Sequence, residues 1–220
     1  MTDDKKQSPP DALLLMGTHC PYCPTVLKGL QSLSASGIIG TVEMVNIEEY
    51  PEVARKLGVR SVPWVRIGPY ELDGLRSEAE LREWAEKAGT ANGLADWLDE
   101  LLSSGKLDRA REQLERNPKV LDALMMLFAN PDTGLNTRIG ISALIEELEG
   151  SPLLREQIDR LGELAHHPET HIRGDACHYL SLTGSPRAKS LIEPLLNDPE
   201  QDIRTLAEES LEHLDSTIRH

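Results

Sequence analysis

Cys20-Pro21-Tyr22-Cys23 is the stretch of sequence that decides the fold of the N-terminal part of this chain. Two cysteines separated by two residues can form a disulfide across one helical turn. If a helix begins near Tyr22, Cys20 lies at its N-terminus, where unpaired backbone N–H groups and the helix dipole stabilise a thiolate. Cysteine thiols in that setting have pKa values of about 3.5 to 7.5, against about 8.5 for a free thiol. The spacing therefore predicts that Cys20 is a nucleophile at neutral pH, and that Cys23 resolves the mixed disulfide that Cys20 forms.

Hydrophobic patterning places the two cysteines between a strand and a helix. Ala12–Met16 is an apolar run of the length of a buried parallel strand. Apolar residues recur at helical spacing after the cysteines, and Pro21 suits a first helical turn because its missing N–H would be unpaired there. The following sequence continues the alternation of strands and helices. We predict strands at Thr41–Ile47, Val65–Ile67 and Tyr70–Leu72, and helices at Pro51–Leu57 and Leu75–Ala88.

The order β-α-β-α-β-β-α, with Cys-x-x-Cys at the first strand–helix junction, resembles the thioredoxin fold. The Cys-Pro-Tyr-Cys tetrapeptide is similar to the glutaredoxin active site, and Ser61-Val62-Pro63 resembles the Thr-Val-Pro of that family. The resemblance covers about Asp11–Ala88. It implies that Pro63 is a cis-proline whose loop lies against the disulfide, and that the Val62 backbone pairs with an extended substrate as an added strand.

Two stretches depart from the glutathione-binding pattern of glutaredoxins. Gly17-Thr18-His19 stands where glutaredoxins usually carry a lysine, and Leu72–Arg76 has one glycine and no acidic pair after it. We therefore expect a redox-active disulfide with no further cofactor, and we consider glutathione binding disfavoured. The context Cys-Pro-Tyr-Cys-Pro is more similar to protein disulfide oxidoreductases. That similarity implies protein disulfides as substrates and a reductase as the electron donor.

Residues beside the cysteines are candidates for shaping the site. His19 either tunes the pKa of the Cys20 thiol as a neighbouring cation or is solvated in the loop. We expect Tyr22 on the rim of the site, while Trp64 either borders a substrate groove or is a half-buried strand residue. A zinc site is disfavoured because a structural site needs four ligands and the sequence has one further cysteine, Cys177. We therefore predict no metal site.

The second half of the sequence is of another kind. From Gly93 onward, amphipathic helical segments alternate with short turns, without a strand pattern. His167–Arg173 (HPETHIR) aligns with Asp198–Arg204 (DPEQDIR) at an offset of 31 residues, and Asn130–Arg138 is a degenerate earlier copy. A proline–acid turn followed by Ile-Arg at a helix start resembles short HEAT-like repeats, whose helix pairs bury their apolar faces against neighbouring pairs. A generic irregular helical bundle is the alternative.

This register specifies the helices of the second half. We predict helices at Leu94–Leu102 and Leu107–Leu114, followed by three pairs: Val120–Ala129 with Thr137–Leu148, Arg155–His166 with Ile172–Leu182, and Ala188–Leu196 with Ile203–Leu214.

Length and composition fit two domains. We expect a flexible tail at residues 1–10, a thioredoxin-like α/β domain at 11–90 and an all-α HEAT-like domain at 91–220. Residues 1–90 carry 10 basic and 13 acidic side chains, whereas residues 91–220 carry 13 and 24. The acidic helical part argues against nucleic acid and membrane surfaces as direct partners and suits a protein partner. The polar start of the sequence is no signal peptide, and we expect a cytoplasmic location.

Two functions are compatible with these features. In the first, the chain is a thiol–disulfide oxidoreductase acting on protein disulfides through Cys20 and Cys23, and the helical repeats bind the partner or substrate. In the second, the thioredoxin-like part is a redox sensor on an adaptor or scaffold whose helical repeats carry the main protein-binding function. The intact cysteine pair favours the first, because a scaffold would not need both thiols.

Overall fold

The computed structural model of the chain describes residues 8–88 and 90–218. The prediction of a flexible tail at residues 1–10 lies for the most part outside these residues. The chain divides into two compact units between Trp97 and Leu98. This division falls inside a helix, Ala91–Ser103, whereas the boundary expected from the sequence, between residues 90 and 91, falls at the start of that helix.

The N-terminal unit contains a four-stranded mixed sheet in the order β2-β1-β3-β4. Strand β1 pairs in parallel with β2 and antiparallel with β3, and β3 pairs antiparallel with β4. The elements are β1 (Ala12–Met16), α1 (Cys23–Ala35), β2 (Val42–Asn46), α2 (Pro51–Lys56), β3 (Trp64–Ile67), β4 (Tyr70–Asp73) and α3 (Glu78–Lys87). The predicted order of strands and helices is therefore confirmed.

Both faces of the central strand β1 are buried. Because neighbouring side chains of a strand point to opposite faces, Leu13 and Leu15 lie on one face, and they join the α2-side cluster of Ala54, Val59 and Trp64. Leu14 has no exposed surface and lies on the opposite face. The continuous apolar run of β1 is thus what a strand covered on both sides requires.

Helix α3 begins later than its apolar pattern suggested. The prediction of a helix from Leu75 is wrong by three residues, because Ser77 caps the helix that starts at Glu78. The Ser77 side chain accepts a hydrogen bond from the Glu80 N–H, and the Glu80 carboxylate accepts one from the Ser77 N–H. This capping box satisfies two backbone donors that would otherwise be unpaired.

Helix α4 (Ala91–Ser103) begins against the sheet. The indole Nε1 of Trp97 donates a hydrogen bond to the carbonyl oxygen of Glu71 at 3.1 Å, and the Trp97 ring contacts the Tyr70 ring. Both partners lie on the edge strand β4. These contacts explain why the first half of α4 belongs to the N-terminal unit.

The second unit is helical throughout the residues that the structure describes. Its helices after α4 are α5 (Leu107–Arg116), α6 (Lys119–Ala129), α7 (Leu135–Glu146), α8 (Pro152–Arg155), α9 (Ile158–Leu164), α10 (Thr170–Leu182), α11 (Pro186–Ile192) and α12 (Gln201–Ile218). Helix α10 is central, since it packs on α7, α9, α11 and α12. None of the helices in the described ranges is both long and apolar enough to span a membrane.

Two of the predicted repeat helices are interrupted. The helix predicted at Arg155–His166 is shorter, since Arg155 is the last residue of the short α8 and α9 begins only at Ile158. The segment predicted at Ala188–Leu196 leaves α-helical geometry after Ile192 and continues as a 3₁₀-helix, Glu193–Asn197. Pro194 lies at that change, and a proline removes one N–H donor from the α-helical hydrogen-bond pattern.

The two clear copies of the sequence repeat make the same hydrogen bonds. Nη1 of Arg173 donates to the carbonyl oxygens of His167 and Pro168 at 3.0 and 2.8 Å. Nη1 of Arg204 donates to the carbonyl oxygens of residues 198 and 199 at 2.7 and 2.9 Å. Each arginine therefore holds the turn that precedes its own helix, which is why both positions carry the same residue type.

Candidate active site

Cys20 and Cys23 form a disulfide at the junction of β1 and α1. Their Cα atoms are 5.5 Å apart. Cys20 lies in the loop before the helix and is half-buried, while Cys23 is the first helical residue and has no exposed surface. Of the two cysteines, Cys20 is therefore the one with surface exposed to solvent.

The start of α1 differs slightly from the sequence prediction. Tyr22 is the residue before the helix, and the proline in the first turn is Pro24 rather than Pro21. The backbone N–H of Cys23 donates to Sγ of Cys20 at 3.1 Å. A hydrogen bond from a helix N-terminus is stronger to an anion than to a neutral sulfur. This contact would therefore stabilise a Cys20 thiolate once the disulfide is reduced.

The Val62–Pro63 loop lies beside the disulfide. The Val62–Pro63 peptide bond is cis, as the resemblance implied. A Cβ added at Gly17 would lie 3.4 Å from Cγ2 of Val62 and 4.0 Å from Cβ of Cys20, so the two side chains approach the same point. A Cβ at Gly17 would make ordinary van der Waals contact with both of these side chains.

A third loop joins the site through Pro63. The N–H of Gly74, in the turn between β4 and α3, donates to the carbonyl oxygen of Pro63 at 2.9 Å. The next residue, Leu75, is about half exposed, as is Tyr22. Among the described residues, the main-chain N–H and carbonyl of Val62 make no hydrogen bond. The loops around the disulfide thus carry the unpaired main-chain N–H and carbonyl of Val62 and the exposed side chains of Tyr22 and Leu75.

A polar network that the sequence analysis missed holds the loop before Cys20. The Thr18 N–H donates to Oε1 of Glu48 at 2.9 Å, and Nδ2 of Asn46 donates to Oγ1 of Thr18 at 3.0 Å. The Glu48 N–H in turn donates to Oδ1 of Asn46 at 3.0 Å. The Thr18 hydroxyl and backbone amide hold the pKa of the Glu48 carboxyl below its ordinary value, with a smaller contribution from His19.

The predicted site residues do not all lie on the surface. His19, Pro21 and Tyr22 are exposed beside the disulfide, Val62 is half-buried and Pro63 is buried. The hypothesis that Trp64 borders a substrate groove is wrong, because its side chain has no exposed surface and packs in the cluster with Leu13 and Leu15. Trp64 therefore belongs to the buried cluster against which Val62 packs.

The third cysteine is remote from this chemistry. Cys177 lies on α10 in the helical unit and is buried, and that burial raises the pKa of its thiol to about 11. Within residues 8–88 and 90–218, no group of three or more His, Cys, Asp or Glu side chains is arranged to hold a metal ion.

Comparisons with known proteins agree with the two-part architecture. A family model of the thioredoxin domain matches residues 12–86, and a family model of HEAT repeats matches residues 141–212. A search of curated proteins found no match to the chain. Together with the Cys20–Cys23 disulfide, the first match indicates redox activity, and the second indicates a protein-binding helical region.

Proposed function

We propose that this chain, which joins a thioredoxin domain to HEAT repeats, is a thiol–disulfide oxidoreductase acting on protein disulfides. The observation that carries the proposal is the unequal exposure of the two cysteines that form the disulfide. Cys20 is half-buried and its Sγ accepts a hydrogen bond from the N–H of the first helical residue, whereas Cys23 has no exposed surface. This difference supports Cys20 as the attacking cysteine and Cys23 as the resolving one.

The proposed reduction of a client begins with the dithiol form. The Cys20 thiolate attacks one sulfur of the client disulfide, so that a Cys20–client disulfide forms and the second client sulfur leaves as a thiolate. Cys23 then loses its proton to solvent and its thiolate attacks Sγ of Cys20, forming the Cys20–Cys23 disulfide and releasing the first client sulfur as a thiolate. Both client thiolates take up a proton from solvent. The client gains two electrons and the protein loses two, which an external thiol reductant must restore.

The surroundings of the disulfide support a polypeptide client. The free N–H and carbonyl of Val62 can pair with an extended chain in the manner of an added strand. Tyr22 and Leu75 are the large exposed apolar side chains of the loops around the site, and they suit apolar residues next to a client cysteine. The helical repeats would bind a separate part of the same client, since repeat arrays offer extended surfaces.

The test is a trapping experiment with the full chain. Cys23→Ser should accumulate a covalent mixed disulfide with a protein substrate such as insulin with its disulfides intact, because the resolving thiol is missing. The trapped species should disappear on addition of dithiothreitol.

Two variants serve as controls for trapping. Cys20→Ser should trap no substrate, because the remaining Cys23 is buried, and Cys177→Ser should behave as wild type. Equal trapping by Cys20→Ser and Cys23→Ser would contradict the assigned order of attack. If no trapped species forms under either oxidising or reducing conditions, the proposed oxidoreductase function is wrong.

A second candidate function has an observation of its own in the helical unit. Leu135 and Ile139 on α7 are 72% and 60% exposed, and Ile139 lines an open groove of about 490 Å³ together with Leu102, Leu107 and Ala143. Such a surface would suit an adaptor whose redox domain modulates protein binding. A partner whose affinity changes between the oxidised and reduced chain, without thiol exchange, would favour this adaptor function over the oxidoreductase.

A further inference from the structure

Glu48 brings a negative charge close to the attacking cysteine. A Cβ added at Gly17 would lie 3.2 Å from Oε1 of Glu48 and 4.0 Å from Cβ of Cys20. The carboxylate oxygen and the Cys20 Cβ are therefore at most about 7 Å apart. Glu48 is exposed, so the carboxylate is held at this place by its hydrogen bond from the Thr18 N–H rather than by packing.

The network around Glu48 fixes its charge as well as its position. Thr18 belongs to the loop that leads into Cys20, and Asn46 ties the same loop to the end of β2. The hydrogen bonds from Thr18 hold the pKa of the Glu48 carboxyl below its ordinary value, so the group is ionised throughout the neutral range. The charge of His19 makes a smaller contribution to lowering the pKa of the Glu48 carboxyl.

A fixed carboxylate near Cys20 has a defined effect on the redox equilibrium. It disfavours the Cys20 thiolate, which opposes the stabilisation from the Cys23 N–H. A dithiol whose thiolate is less stable is a weaker oxidant, because stabilising the reduced form is what makes such a pair oxidising. The thiolate charge lies on Sγ, one bond beyond Cβ, so it is at most about 9 Å from Oε1 of Glu48. Two like charges about 7 to 9 Å apart in water change the ionisation constant of the thiol about two- to threefold.

We propose that Glu48 is a positioning and tuning residue that biases the Cys20–Cys23 pair toward reduction of its clients, by holding a carboxylate against the loop that carries the nucleophile. The inference rests on the proposed function in naming Cys20 as the attacking sulfur. It adds a direction to the reaction, since it makes the disulfide form more stable than the cysteine environment alone would.

The experiment compares charge changes at two positions of the full-length protein. Glu48→Gln keeps an oxygen acceptor for the Thr18 N–H and removes the charge, and Glu48→Lys reverses the charge. Glu43→Gln and Glu43→Lys are matched controls, because Glu43 is exposed on the same strand–loop segment but pairs with Leu13, away from the carboxyl end of β2. The Cys20 thiol is titrated by its thiolate absorbance, and the disulfide is equilibrated with glutathione.

The expected shifts are small but directional. Glu48→Gln should lower the pKa of the Cys20 thiol by about 0.3 to 0.5 and shift the glutathione equilibrium about two- to threefold toward the dithiol, or about 9 to 14 mV. Glu48→Lys should give about twice that logarithmic shift. Both shifts should shrink in 1 M salt, where the screening length falls to about 3 Å, whereas a purely structural effect of the substitutions would persist.

Each outcome decides the inference. If Glu48→Gln matches Glu43→Gln in both thiol pKa and redox equilibrium, or if its shift is unchanged by salt, the tuning role is wrong. The thiol pKa is measured on the reduced protein without any client. A failure of Cys23→Ser to trap clients would therefore reject the proposed function, whereas the role of Glu48 is decided independently by the thiol pKa and the redox equilibrium.

Discussion

The ion pair between Arg173 and Asp198 should be a principal stabilising contact of the helical unit. Nε and Nη2 of Arg173 donate to the two carboxylate oxygens of Asp198 at 2.8 and 3.1 Å. The side chains are 11% and 5% exposed, so both charges have been largely removed from water. The contact joins the helix of one repeat to the turn that opens the next. Replacing Asp198 by alanine would leave the guanidinium without its charged partner.

The size of the effect follows from this burial. Removing one partner of a buried ion pair costs about 3–5 kcal/mol, because the remaining charge is left unpaired. Arg173 would keep its hydrogen bonds to the carbonyls of His167 and Pro168. We therefore expect Asp198→Ala to lower the free energy of unfolding by about 3 kcal/mol, at the lower end of that range.

An exposed ion pair in the same unit provides the control. Arg187 pairs with Asp159, and these side chains are 59% and 70% exposed. Asp159→Ala should cost at most about 1 kcal/mol, since exposed pairs gain little over hydration. Urea unfolding of the full chain, followed by far-UV circular dichroism, measures both. With a urea dependence of about 2 kcal/mol per M, Asp198→Ala should lower the helical midpoint by about 1.5 M.

The result that would refute this reasoning is a loss for Asp198→Ala within 1 kcal/mol of that for Asp159→Ala. It would mean that the cost of desolvating the buried pair cancels its attraction. Asp198→Asn separates charge from shape, because the amide has the same size as the carboxylate. A loss for Asp198→Asn close to that for alanine would assign the stabilisation to the charge.

Three further predictions concern other parts of the chain. The Arg173 guanidinium holds the pKa of the Asp198 carboxyl below its ordinary value. The contribution of this ion pair to folding stability is therefore complete above about pH 4 and is lost as the pH falls through the folded-state pKa of Asp198. Urea midpoints measured from pH 6 to 3 should fall less steeply for Asp198→Asn than for the wild-type chain. Gly93→Ala would place a Cβ 2.4 Å from the Lys87 carbonyl oxygen and should destabilise the N-terminal unit by about 2 kcal/mol or more, as tryptophan fluorescence in urea would show. With its pKa raised to about 11 by burial, Cys177 should resist iodoacetamide at pH 8 in the folded, reduced protein, and its rapid alkylation there would contradict the burial.

The parts of the fold that the sequence predicted correctly are set by short-range patterns. The bounds of β1 agree with Ala12–Met16, because an apolar run between polar loops marks a strand covered on both faces. The repeat was visible in the sequence because its two clear copies make the same contact, in which Arg173 and Arg204 each donate to carbonyl oxygens of the turn before their own helix. The late start of α3 is also encoded locally, because the capping box of Ser77 and Glu80 fixes the first turn, whereas the apolar pattern extends back to Leu75.

The features that escaped prediction depend on contacts between distant segments. Trp97 completes the edge of β4 although it follows the expected domain boundary, and no periodicity connects it with Glu71. Trp64 was a candidate for the groove, but its burial depends on Leu13, Leu15 and α2, which meet only in the folded sheet. Whether a single aromatic side chain next to a functional loop is buried thus depends on contacts in the folded sheet, and the local sequence pattern does not determine it.

Glu48 shows how such a residue could have been found. Strands β1 and β2 are parallel, so the loops that follow their carboxyl ends leave the sheet at the same edge. Cys20 follows β1 and Glu48 follows β2, and topology alone therefore places a carboxylate beside the cysteine loop. The sequence predicted both strands, whereas their parallel pairing, which brings the two loops together, is a property of the folded sheet. Residues that follow two paired parallel strands lie at the same edge of the sheet even when they are far apart in the sequence. A site residue such as Glu48 can therefore be predicted by examining the loop after each strand that pairs with β1.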